Sequence, residues 1–94
     1  FLKTCAHATP KVTMPTPSHM HFGHFGESFD RNVYETADEF YDAMIAIYRA
    51  EIADLARRGC TFLQLDEVPL TLLCDETNRG AARAAGEDPD RLVD

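Results

Sequence analysis

Two adjacent carboxylates, Asp66 and Glu67, follow an apolar run in the segment CTFLQLDEVPL (60–70). Side chains in a strand alternate between its two faces, which puts Gln64 with Asp66 on one face and Leu65 with Glu67 on the other. The polar face suits a barrel interior or a crevice, and the apolar face suits a covering helix. Because α/β proteins bind ligands at the carboxyl ends of parallel strands, this pair indicates a functional site. An Asp that caps the following loop is the alternative.

A histidine-rich loop is the second group of side chains that could do chemistry. His19, His21 and His24 lie close together, with His7 upstream. Imidazole is a common zinc ligand, and an extended H-M-H segment would place His19 and His21 on one face. No carboxylate or thiol at ligand spacing completes the set. We therefore expect a solvated loop, or one that lines an active site, in preference to a second metal site.

Composition excludes several classes of function. Nine Lys and Arg against sixteen Asp and Glu give a net charge of −7, which argues against nucleic-acid binding. No apolar run is long enough to cross a bilayer, and the N-terminal residues show no signal-peptide pattern. The three cysteines, Cys5, Cys60 and Cys74, are odd in number and form no C-x-x-C motif, which fits neither a disulfide framework nor a zinc knuckle. We expect a cytoplasmic protein without nucleic-acid or membrane partners.

The elements that must position these residues follow from periodicity and from Pro and Gly. Thr36 and Glu39 form a capping box, in which the Thr hydroxyl accepts from the N3 amide and the Glu reaches back to the cap amide. Gly59 predicts a left-handed C-terminal cap, and a strand follows it so closely that a βαβ crossover is expected. Apolar residues recur at helical spacing between these caps: Phe40, Met44, Ile47, Tyr48, Ile52 and Leu55. The predicted order is strand 10–15, loop 16–34, helix 36–58, strand 61–66, loop 67–87 with a short helix or two, and a helix start at 88–94.

Both ends of the chain suggest a fragment of a larger domain. The sequence begins at Phe1 without an initiator Met. It stops at Asp94, in the first turn of a helix in which Asp88 is the expected N-cap and Pro89 occupies N1. A domain seldom ends on the first turn of a helix.

Several segments in combination resemble one family, the C-terminal catalytic barrel of cobalamin-independent methionine synthase. The likeness extends over essentially the whole chain and is strongest to the short, single-barrel branch, where Q-L-D-E-V-P is followed by L-C-D and G-E-D-P-D. The resemblance implies an α/β fold, with the chain as about two to three βα units of a (β/α)8 TIM barrel within a single catalytic domain; a closed barrel needs roughly 250 residues. The segments that carry it are KVTMPTPS (11–18), YRAEI (48–52), GCTFLQLDE (59–67), LCD (73–75) and GEDPD (86–90).

This resemblance also implies an activity for the parent protein, the zinc-dependent transfer of a methyl group to the thiol of homocysteine in methionine biosynthesis. Asp66 would hold the ammonium group of homocysteine beside Gln64, and Glu67 would support the loop behind it. Ser18 and His21 would line the side of the methyl donor, a folate or a methylated corrinoid protein. The double-barrel enzymes of the family have a G-P-V-T segment and a nearby Trp, whereas this sequence has MPTP and no Trp. The folate contacts of the double-barrel enzymes therefore do not carry over to this chain.

The family's zinc ligands, His, Cys, Glu and a further Cys, come from strands that would follow Asp94. The resemblance therefore implies zinc in the full-length enzyme, none held by this chain through the family site, and no activity from the chain alone. Two alternatives remain open. One is a related zinc thiol-alkyltransferase, such as an enzyme that opens epoxides with coenzyme M. The other is an inactive barrel fragment that persists by self-association through its apolar stripe.

Overall fold

The computed structural model describes residues 2–22 and 24–93 and shows a mixed α/β chain with a small parallel sheet. Phe1, Gly23 in the histidine-rich loop and Asp94 in the predicted helix start lie outside the described residues. The α-helices and strands are α1 (Leu2–Cys5), β1 (Val12–Pro15), α2 (Ala37–Arg57), β2 (Leu63–Asp66) and α3 (Glu76–Ala84). Short 3₁₀ helices occupy Pro17–Met20, Pro69–Cys74 and Arg91–Val93.

The two strands pair in parallel, which confirms the predicted βαβ arrangement. Val12 lies opposite Leu63 and Pro15 opposite Asp66, and both strands are two residues shorter at their start than predicted. The register also puts Thr13 beside Gln64, on the polar face of the sheet. Both strands therefore end at the same edge, where the chain enters the loops that carry the candidate residues.

Helix α2 connects the strands and begins and ends through local signals that the sequence contains. The Thr36 hydroxyl accepts a hydrogen bond from the Glu39 amide at 3.2 Å, as the capping box predicts. The hydrogen bond of the Glu39 carboxylate differs from the prediction, because its donor is the amide of Glu35, one residue before the cap, and not the amide of the cap itself. At the other end Gly59 has a φ of 83°, and its amide and that of Cys60 bond back into the last turn. This is a Schellman motif, which turns the chain sharply toward β2.

The segment predicted as loop 67–87 with a short helix or two contains the 3₁₀ helix Pro69–Cys74 and helix α3, as expected. Helix α3 forms there because the Asp75 carboxylate accepts from the amides of Thr77 and Asn78, and because Ala favours the helix. In the described part of the predicted helix start at 88–94, Arg91–Val93 form a 3₁₀ helix. Its expected cap is nevertheless present, since the Asp88 carboxylate accepts from the Asp90 amide at 3.0 Å.

The buried core is small and lies mostly at the carboxyl ends of the strands. Phe22, Phe40, Tyr48, Leu73 and Ala82 are its buried apolar residues, and the Tyr48 hydroxyl donates to the Pro15 carbonyl at 2.8 Å. Two of the six residues in the predicted apolar stripe of α2 are not covered, since Ile47 is 59% and Ile52 is 39% exposed. The radius of gyration is 16.4 Å, against about 12 Å for a compact domain of this length. The chain therefore leaves much apolar surface unpacked.

No helix within residues 2–22 and 24–93 combines the length and apolar character needed to cross a membrane.

Candidate functional site

The loops after β1 and β2 are joined by a hydrogen bond between side chains. The Ser18 hydroxyl donates to Oε2 of Glu67 at 2.5 Å, and the Thr16 hydroxyl lies 2.7 Å from that of Ser18. The other oxygen of Glu67 accepts from the Leu70 amide at 2.8 Å. Because β2 ends at Asp66, Glu67 is free to turn toward β1 and fix the two loops against each other.

Several groups act on the ionisation of Glu67, which is exposed at the rim of an open cavity. Desolvation by burial would raise its pKa, but hydrogen bonds outweigh that effect. The hydroxyls of Ser18 and Thr16, and then the Leu70 amide, favour the ionised carboxylate, as does nearby His19. The pKa of Glu67 therefore lies below its ordinary value of 4.5, and the side chain is negative at neutral pH.

Asp66 and Gln64 share the polar face of β2, as the alternation predicted. The Gln64 amide nitrogen donates to Oδ1 of Asp66, and the Gln64 carbonyl accepts from Nζ of Lys11 at 2.8 Å. Asp66 is half-buried, while Gln64 is exposed. This row of polar side chains leaves the second carboxylate oxygen of Asp66 free of protein hydrogen bonds within the described residues.

A cavity of 670 Å³ lies where the loops meet the first turns of α2. Its size is within the range of small-molecule sites. Ser18 and Glu67 line it, but Asp66, Gln64 and His21 do not. The cavity is open to solvent and mainly apolar, with polar groups contributed by the strand ends, by α2 and by the chain after α3. Its principal lining residues are Ser18, Phe22, Tyr41, Ile45, Glu67 and Glu87.

His21 is fully buried beneath this cavity, within an aromatic cluster. Its Nδ1 lies 2.5 Å from the Ser28 hydroxyl, and its Nε2 lies 2.5 Å from Oε2 of Glu87. In the neutral ring, Nε2–H donates to Glu87 and Nδ1 accepts from Ser28. Five aromatic rings surround the imidazole with centroid distances of 5.4–6.2 Å: Phe22, Phe25, Phe29, Phe40 and Tyr41. His21 thus holds Glu87 in place and does not itself line the cavity.

Glu87 reaches this position through a second Schellman motif, at the end of α3. Gly86 has a φ of 84°, its amide donates to the Arg83 carbonyl, and the Glu87 amide donates to the Ala82 carbonyl. The Glu87 side chain is only 10% exposed. Its Oε1 is buried and has no hydrogen-bond partner among the described residues. Such a group costs roughly 1–3 kcal/mol, or more when it is charged.

Tyr41, on the first turns of α2, lines the cavity beside both carboxylates. Burial raises the pKa of its phenol, and the negative charges of Glu87 and then Glu67 raise it further. The shift is large, so Tyr41 is a neutral hydroxyl throughout the physiological range. It can donate or accept a hydrogen bond at the cavity wall.

The histidine-rich loop does not form the extended arrangement in which His19 and His21 share a face. Pro17–Met20 is a 3₁₀ helix, because Pro17 starts a tight turn, so His19 is exposed while His21 is buried. His24 is also exposed. Within residues 2–22 and 24–93, no three His, Cys, Asp or Glu side chains are grouped so that they could hold a metal ion.

The sequence patterns point to Ser18, Glu67 and His21 but not to Glu87 or Tyr41. Gly86 was a usable signal, since a glycine after an Ala-rich segment marks a helix end. It predicts the turn, yet nothing local predicts that Glu87 meets an imidazole 66 residues away. Tyr41 occurs in the predicted helix outside the apolar stripe.

Comparison with known proteins gives two relatives. The chain is 35% identical over 85 residues to the uncharacterized protein YxjH, and 31% identical over 86 residues to the uncharacterized protein YxjG, both of Bacillus subtilis (strain 168). Each match covers 90% of this chain, which spans about a fifth (22%) of the length of these curated relatives. No family model matches the chain. No solved structure matches it.

Proposed function

We propose that this chain is part of a (β/α)8 barrel that transfers a methyl group to the thiol of homocysteine. The observation that carries the proposal is the polar row at the end of β2, where Gln64 orients Asp66 at the carboxyl edge of a parallel sheet. Barrel enzymes place their substrates at this edge. The resemblance of segments 11–18, 59–67 and 86–90 to the methionine synthase barrel supports the specific reaction.

The shape of the chain also fits a barrel section. Parallel strands are usually covered on both faces, whereas here the polar face is open and the strands have unpaired outer edges. In a closed barrel, Lys11, Gln64 and Asp66 would face the interior, and α2 would lie outside. The exposed Ile47 and Ile52 would then pack against neighbouring helices.

In this proposal, Asp66 binds the ammonium group of homocysteine. One of its oxygens accepts from Gln64, which fixes the carboxylate plane and leaves the other oxygen for the substrate. A charge-assisted hydrogen bond of this kind orients the amino acid and thereby its thiol. Glu67 acts behind it, by holding the loops after β1 and β2 together through Ser18.

Zinc enters the proposal only through the parent protein. In the proposal the zinc ligands come from strands outside this chain, and this chain binds and orients the amino acid. The assignment of Ser18 to the methyl-donor side remains a prediction. His21 would act there only indirectly, because it is fully buried.

The test is homocysteine binding by the full-length protein that contains this chain, measured by calorimetry. Asp66→Asn should weaken binding about tenfold or more, because it removes a charged hydrogen-bond acceptor. Asp42→Asn, which removes the same charge from an exposed position on α2, is the matched control. Unchanged affinity for Asp66→Asn would refute the clamp. Binding of coenzyme M in place of homocysteine would favour the thiol-alkyltransferase alternative.

A second candidate role rests on the exposed apolar residues of the chain. Ile47, Phe62 and Val33 are each more than half exposed, which suits self-association of the chain on its own. Sedimentation of the 94-residue chain would decide this point. A compact monomer of 10.5 kDa would exclude a role as a self-associating fragment.

A further inference from the structure

We propose that the cavity between α2 and the strand-end loops binds a small organic cation, a protonated amine on an apolar or aromatic body, and that Glu87 is its ionic partner. This site goes beyond the proposed function. Neither Glu87 nor Tyr41 takes part in the clamp at Asp66, and Asp66 is not among the residues that line the cavity.

The charge of the cavity wall points to a cation. Glu67, Glu87, Asp38 and Asp88 all line it, and Arg91 is the single Lys or Arg among its described lining residues. Arg91 is already paired with Asp38 at 2.9 Å. Glu67, Glu87 and Asp88 therefore have no Lys or Arg partner among the described residues of the wall.

Glu87 supplies the independent observation. Its side chain is nine-tenths buried, and the imidazole of His21 satisfies only one of its two oxygens. Oε1 is left without a donor among the described residues. A buried carboxylate normally has all its oxygens engaged, and Glu87 is one of the residues that line the cavity, so a ligand donor that reaches the buried Oε1 would complete its hydrogen bonds. The His21–Ser28 pair holds this carboxylate in one orientation, which makes the site preorganised.

The remaining wall fits an apolar body attached to the cation. Phe22, Ile45, Leu70 and Leu92 contribute apolar surface, and 670 Å³ is far larger than a bare ion requires. The ring of Tyr41 adds an aromatic face beside the two carboxylates, and cations bind favourably over such faces. A ligand with an ammonium group at Glu87 and a ring on the apolar wall would use all of these features.

The test uses two probes of nearly equal shape, benzylamine, which is protonated at pH 7, and benzyl alcohol, which is neutral. Binding to the 94-residue chain is followed by chemical-shift titration. We expect benzylamine to bind and to shift the amides of Gly86, Glu87 and Tyr41. Benzyl alcohol should bind about tenfold or more weakly, because it lacks the charge-assisted hydrogen bond. Equal affinities for the two probes would overturn the proposal.

Variants then locate the ionic partner. Glu87→Gln should weaken benzylamine binding about tenfold or more without affecting benzyl alcohol. Glu51→Gln, at an exposed position on α2, is the matched control and should leave both affinities unchanged. Unchanged benzylamine affinity in Glu87→Gln would refute the assignment.

A further variant covers the case in which Glu87→Gln disturbs the buried imidazole. Glu67→Gln alters an exposed rim residue, and the Gln carbonyl can still accept a hydrogen bond from Ser18, so the chain should remain folded. This variant should weaken benzylamine binding measurably, although by less than Glu87→Gln does, because it removes the negative charge of Glu67 from the cavity wall. If Glu87→Gln does not fold and Glu67→Gln binds benzylamine as tightly as the unmodified chain, the proposal fails. Loss of homocysteine binding in Asp66→Asn alone would leave this proposal intact.

Discussion

Ser18 and Glu67 lie 49 positions apart in the sequence, and a hydrogen bond of 2.5 Å joins the hydroxyl of the first to the carboxylate of the second. This bond connects the loops that leave two parallel strands at the same edge. It also shows why one of two adjacent carboxylates has a structural role. Asp66 remains on the polar face of β2, while Glu67, past the end of the strand, holds the loop of β1.

Ser18→Ala should raise the pKa of Glu67 toward 4.5. Burial by itself raises this pKa, and the Ser18 hydrogen bond is the largest effect that lowers it. Because the pKa of Glu67 is lower in the folded than in the unfolded state, its ionised carboxylate stabilises the fold. This stabilisation is complete above pH 4.5 and is lost as the pH falls through the folded-state pKa. The stability difference between the two proteins should therefore be present at pH 7 and vanish in acid. NMR titration of the glutamate carboxyl carbons measures the pKa directly.

Thr13→Ala is the control for this measurement, because Thr13 is exposed on β1 and has no contact with Glu67. It should leave the titration of Glu67 unchanged. If Ser18→Ala gives the same Glu67 pKa as the unmodified chain, the hydrogen bond does not control this carboxylate.

The phenol of Tyr41 should titrate well above the ordinary value of 10.0. Burial is the largest cause, followed by the charge of Glu87. Glu87→Gln should therefore lower the pKa of Tyr41 only part of the way toward 10.0. Because the pKa of Tyr41 is higher in the folded than in the unfolded state, its neutral phenol is the form compatible with the fold. The contribution of this phenol to stability is complete below pH 10 and declines as the pH rises further. Titration of the tyrosine Cζ resonances resolves the three tyrosines. An ordinary pKa for Tyr41 would show that the ring is not desolvated.

Tyr48→Phe should lower the free energy of unfolding by about 1 kcal/mol, because the hydroxyl that bonds to the Pro15 carbonyl is removed from a buried side chain. Tyr34→Phe is the matched control. The Tyr34 ring packs on Phe29 and Phe40, but its hydroxyl forms no hydrogen bond within the described residues. Urea unfolding of both variants measures the difference. Equal effects would mean that the hydrogen bond between Tyr48 and Pro15 contributes nothing measurable to the free energy of unfolding.

The elements that can be predicted from the sequence are those set by interactions between residues close together in the chain. Helix α2 and its caps depend on residues within four positions of each other, such as Thr36 and Glu39, and the alternation of Gln64 with Asp66 is equally local. The cavity depends on contacts between distant segments. The pairing of His21 with Glu87 spans 66 positions, and no period or motif encodes it. The interpretation of His21 as a wall residue missed its burial, because aromatic neighbours before and after it collapse onto the ring.

Gly86→Ala should destabilise the chain by about 1 kcal/mol and should also weaken binding in the cavity. A Cβ at Gly86 would meet no other atom within 4 Å, so the cost comes from the left-handed backbone with its φ of 84°. Relaxation of that strain would turn Glu87 away from His21. Gly80→Ala is a matched control, since Gly80 lies within α3 and also has open space around it. It should stabilise the chain by roughly 0.5–1 kcal/mol, because Ala favours a helix over Gly. Urea unfolding measures both variants, and a stabilising Gly86→Ala would contradict the role of this turn in placing Glu87.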